Sequence, residues 1–130
     1  MRSSYVGSMR YITVFILLGV FGSWLAAAPP DFGIGPVPGG KYAVFRKQFT
    51  QHMDVFGIHL FGTAKTPPEK LRHAAIVLAE YLDNDEDGKP DNPKVLATMI
   101  KRDAFLAMTE NERALDRLDH DVFQDAGFHH

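Results

Sequence analysis

The most regular pattern in the chain runs from Thr66 to Leu82, where Leu71, Ala75, Leu78 and Leu82 recur at spacings of four, three and four. Such spacing lines one face of a helix and predicts packing against a core. Thr66-Pro67-Pro68-Glu69 supplies the expected start, with Thr as cap, Pro in the first turn and Glu three residues on. A second helix is predicted from Asn92-Pro93, Asn capping and Pro opening it, with Val95, Leu96, Met99 and Ile100 as its apolar side. Earlier in the chain, Val44, Phe45, Phe49 and Met53 fall at helical spacing between Lys41 and Met53, so a short amphipathic helix is expected there. Val55 to Phe61 is β-branched and aromatic and reads as a strand. Ala104 to Met108 fits either a strand or a helical continuation. Thr109-Glu110-Asn111-Glu112 is a second capping box before Ala114, Leu115 and Leu118. The tail from Gln124 reads as a frayed end or a truncated continuation. Together these elements predict a mainly α fold, with room for one or two short strands in an α+β variant, around a helix-loop-helix unit at 66–102.

The ends of the chain set its organisation. Arg2 and Arg10 precede an apolar run from Tyr11 to Leu25, and Ala26-Ala27-Ala28 offers small residues for cleavage. This is the layout of a signal peptide over 1–28, which predicts a secreted or periplasmic protein with no stable membrane span after cleavage near Ala28. Residues 29–40 are rich in Pro and Gly and read as a linker, leaving 41–130 as one small globular domain. With 14 Lys and Arg against 16 Asp and Glu, the net charge of -2 gives no basic surplus for nucleic acid. The cysteine count of 0 excludes disulfides and thiolate chemistry.

Between the two predicted helices lies Asp83-Asn84-Asp85-Glu86-Asp87-Gly88-Lys89-Pro90-Asp91. Acids on alternate positions let a curling loop aim every second side chain at one ion, and the glycine permits the turn back across it. Oxygen-only ligands suit Ca2+ and not zinc. The candidate ligands are Asp83, Asp85, Asp87, the carbonyl of Lys89, and Asp91. A solvated acidic turn that binds nothing is the competing explanation. The loop resembles an EF-hand loop through its first nine positions and departs at the twelfth, where Lys94 stands in place of a bidentate Glu. It also resembles the shorter Asp-x-Asp-x-Asp-Gly-x-x-Asp loop of thrombospondin type three repeats, which needs no twelfth ligand. That resemblance covers about a dozen residues in one copy, and implies calcium as a structural clip in an exported protein. The wider stretch Tyr81 to Pro93 resembles uncharacterised exported proteins, some with a later metalloprotease-like region. This implies an alternative: the N-terminal, calcium-stabilised part of an exported hydrolase.

No other chemistry stands out. His52 and His59 flank the expected strand, and His73 lies on the first loop helix. No His-Glu-x-x-His, Gly-x-Ser-x-Gly or phosphate-loop pattern occurs. The pattern therefore names no catalytic residue and no protein partner.

Overall fold

The structure, a computed structural model, describes residues 31–125, 127 and 128. The signal peptide expected at 1–28 lies outside them. A 3-10 helix at Gly40–Lys47 leads into strands β1 (Gln51–Val55) and β2 (Ile58–Gly62). Helices α1 (Pro68–Leu82) and α2 (Pro93–Lys101) follow, then β3 (Phe105–Met108), α3 (Glu112–Leu115) and α4 (Asp121–Asp125).

The expected strand at Val55–Phe61 is a hairpin. Phe56 and Gly57, with φ of 53° and 89°, make the turn, and Asp54 Oδ1 accepts a hydrogen bond from the Gly57 amide at 3.0 Å. Positive φ at both central residues matches the right-handed twist of the flanking strands. β1 and β2 pair antiparallel, and β3 joins the other edge of β2 in parallel, giving the order β1-β2-β3. A parallel pair cannot be closed by a tight turn. Here the crossover from β2 to β3 consists of α1, the acidic loop and α2, so the loop sits midway along the connection that builds the sheet.

Helix covers 42% and strand 16% of the described residues, which corrects the mainly α expectation to α+β. Alternation explains why the sheet is hard to see in the sequence. Along the hairpin, Met53, Val55, Ile58 and Leu60 point to one face and pack with Leu71, Ala75, Ala79 and Leu82 of α1. Phe61 joins the cluster on the opposite face, with Val37, Phe45, Phe49, Val122, Phe123 and Phe128. Both faces of the sheet are thus covered, and the strands carry apolar residues on both. The expected helix from Lys41 to Met53 stops at Lys47 for the same reason. Phe45 and Phe49 belong to one face of the sheet and Met53 to the other, an arrangement no single helical stripe allows.

The Pro/Gly-rich segment and the tail also enter the core. Gly35 exchanges two 2.9 Å backbone hydrogen bonds with His52, and Val37 is buried. Phe128 is buried against Phe45 and Phe105, so the tail is docked at that point rather than frayed. No helix among the described residues is long and apolar enough to cross a membrane.

Candidate metal centre

α1 positions the front of the loop. Its buried stripe is Leu71, Ala75, Ala79 and Leu82, which holds the last turn on the sheet and delivers Asp83 at the C-cap, itself buried. The helix begins differently from the capping box read in the sequence. Pro67 is the N-cap, and no side chain caps it. The Thr66 hydroxyl instead donates to the Met108 carbonyl at 2.8 Å and accepts from the Thr63 amide at 3.0 Å. Thr66 therefore ties the start of the crossover to its end. At the far side of the loop the expected cap is present: Asn92 Oδ1 accepts from the Val95 amide at 3.2 Å, with Pro93 opening α2. In the later box the cap is Asn111, whose Oδ1 accepts from the Ala114 amide at 3.0 Å.

Within the loop, Asp83 is the hub. Its Oδ1 accepts from the Asp87 amide at 3.1 Å and its Oδ2 from the Gly88 amide at 2.8 Å. Gly88, at φ 84°, turns the chain back as its position in the pattern requires, and Glu86 also takes a positive φ of 57°. The Asp91 amide donates to the Leu82 carbonyl at 2.8 Å, while Asp91 Oδ2 accepts from the Asn84 amide at 3.0 Å. The ninth residue of the pattern is thereby folded back onto its second residue and onto Leu82, just before its first.

The result is a cluster in which one carboxylate oxygen from each of Asp83, Asp85 and Asp91 lies within 4.8 Å of the others. Asp87, the fourth expected carboxylate, is not in this set; its Oδ1 accepts from the Lys89 amide at 2.8 Å. The pattern asks only the carbonyl of Lys89, and its side chain is exposed. At 4.8 Å or less, each carboxylate pair repels by at least ~0.9 kcal/mol even at the dielectric of water. Asp85 registers this crowding. The Asp87 amide favours its charged form, yet the neighbouring Asp83 carboxylate, with Asp87 and Asp91 nearby, leaves its pKa raised above the ordinary value. The ion pairs among the described residues, Lys41–Asp103 and Arg117–Glu110, and the contact of Asp54 with His59, which is an ion pair only when the ring is protonated, do not include a loop carboxylate.

Three clustered carboxylates present hard oxygens only, the donor set of Ca2+ or Mg2+. Ca2+ takes six to eight oxygens, leaving positions for the Lys89 carbonyl, Asp87 and water. Lys94, at the position where an EF-hand places its last ligand, is exposed on the first turn of α2.

A second cluster of titratable groups was not legible in the pattern. His52 and His59 do not flank one strand; they lie on neighbouring strands of the hairpin, with His52 Nε2 and His59 Nδ1 2.8 Å apart. Their separation of seven residues signals contact only once the two-residue turn is known. No family model, curated protein or solved structure matches the chain.

Proposed function

We propose that this protein binds one Ca2+ in the 83–91 loop and uses it as a structural clip between α1 and α2. The observation that carries the reading is the convergence of Asp83, Asp85 and Asp91 across nine residues at the midpoint of the β2–β3 crossover. A divalent cation would relieve the repulsion among three carboxylates that no ion pair among the described residues relieves.

A clip has mechanical sense at this position. α1 is anchored by four buried residues, but α2 has none: Val95 and Ile100 are 49% and 44% exposed, and only Leu96 and Met99 pack against the core from the side. Fastening Asp91 to Asp83 and Asp85 would fix where α2 leaves the loop, and with it the approach of β3 to the sheet. Lys94 in place of a twelfth ligand fits modest affinity and a structural role better than a sensor. With a dissociation constant of about 0.1 mM and Ca2+ near 2 mM, as outside cells, binding would stabilise the fold by ~1.8 kcal/mol.

Thermal unfolding in chelator and in millimolar Ca2+ tests the reading, with calorimetric titration giving the stoichiometry. The wild type should melt several degrees higher in Ca2+ and bind one ion. Asp85→Asn with Asp91→Asn, which spares the buried Asp83, should remove the difference. Identical melting of the wild type in the two conditions would show that the loop is an acidic turn.

A further inference from the structure

The face of the hairpin opposite α1 carries a pair of histidines that the calcium reading does not use. His52 on β1 and His59 on β2 bring Nε2 and Nδ1 to 2.8 Å. Their ring centroids are 5.0 Å apart, close to the sum of that separation and the two ring radii, so the nitrogens face each other head-on. This is the geometry of one N–H···N hydrogen bond, in which one ring donates and the other accepts. A shared tetrahedral zinc would need both lone pairs aimed at a third point, with the nitrogens spread to about 3.3 Å.

The pair is enclosed on several sides. Tyr42 of the 3-10 helix lies on His59 at 4.4 Å between centroids, and Phe61 lies against both imidazoles at 5.4 Å and 6.0 Å. β3 contributes Phe105, the register partner of His59, and the outer edge of β1 is paired at Gly35, which has no side chain. The charged neighbours are few. Asp54 Oδ2 lies 3.6 Å from His59 Nδ1, and Lys41, next to Tyr42, is held by Asp103 from the turn after α2.

We propose that His52 and His59 act as an acid-sensitive latch, holding this face of the hairpin closed while they share one proton and releasing it when both rings become charged. The first added proton goes to the outward nitrogen of the donating ring and leaves the N–H···N bond in place, with Asp54 balancing the charge. The second must go to the accepting nitrogen itself. An N–H then faces an N–H across 2.8 Å, and two like charges sit side by side in a half-buried site.

The surroundings make the histidines the groups that respond. Burial lowers the pKa of both rings below the ordinary value of 6.5; Asp54 opposes the shift in each, and a positive neighbour adds to it, His59 for His52 and Lys41 for His59. Lys41 is pushed up by its hydrogen bond to Asp103, and Tyr42 is pushed up by burial, so neither changes charge in weak acid. A histidine whose pKa is depressed on folding contributes stability that is complete above its unfolded value. That contribution is lost as pH falls from about 6.5 through the folded values.

The test uses the full chain in chelator, so that a bound ion plays no part and the loop carboxylates titrate alike in both proteins. Between pH 7 and pH 5 the melting midpoint of the wild type should fall by roughly 4–8 °C more than that of His52→Gln/His59→Gln, which keeps polar side chains that cannot charge. Parallel pH curves for the two proteins would overturn the proposal. Imidazole NMR on the wild type decides the matter even if the double variant fails to fold. The pair should titrate in two steps separated by more than about one pH unit. Two rings titrating together near the ordinary histidine value would overturn the latch and leave the calcium reading untouched.

Discussion

The two faces of the sheet are built by opposite means. The face toward α1 is aliphatic: Met53, Val55, Ile58 and Leu60 meet Leu71, Ala75, Ala79 and Leu82 of a single long helix. The other face is aromatic and is assembled from distant pieces, namely Val37, the 3-10 helix with Phe45, Phe49, and the C-terminal Val122, Phe123 and Phe128. Phe45 is its centre, with Phe49, Phe61, Phe105, Phe123 and Phe128 all within 6.0 Å between centroids. One face depends on a helix whose contacts come from one continuous stripe. The other depends on joining both ends of the described chain, so loop-closure entropy weighs against it and large aromatic burial must offset that cost.

The largest expected effect on the aromatic face comes from Phe45→Ala. Removing a fully buried ring from the centre of the aromatic face should cost about 3–5 kcal/mol, read as a lower urea midpoint, and should loosen the tail more than α1 in hydrogen exchange. Uniform loosening of both faces would mean they do not differ as units. Thr66→Val probes the seam between crossover and sheet. Its hydroxyl is buried between the Thr63 amide and the Met108 carbonyl, so a near-isosteric loss should cost about 1–3 kcal/mol at equilibrium. Were Thr66 only a helix cap, the change would instead loosen α1 alone and leave β3 unaffected in hydrogen exchange. The smallest change is Gly57→Ala, expected at about 1 kcal/mol. An added Cβ would meet Ile100 Cδ1 at 3.0 Å with φ at 89°, so the cost should shrink when Ile100 is also shortened to Val.

The candidate centre was partly legible for a local reason. Asp83, Asp85 and Asp91 converge through turns and hydrogen bonds that span nine residues, and Gly88 stands where the chain must reverse. Asp87 matched the pattern equally well but faces the Lys89 amide, because spacing fixes position along a loop and not which hydrogen bond each carboxylate takes. The burial of Asp83 follows from the docking of α1, a contact outside the loop.

α1, the Asn92 cap, the acidic loop and their order follow from short-range pattern, because each depends on residues a few positions apart: helical spacing, a cap, a glycine at a reversal. The sheet, the two-faced core and the histidine pair depend on contacts between distant parts of the chain. A strand's partner lies elsewhere in the chain, and a two-residue turn at Phe56-Gly57 converts one apparent strand into two. The same turn sets His52 beside His59, and the parallel return of β3 turns a helix-loop-helix unit into the crossover of an α+β fold.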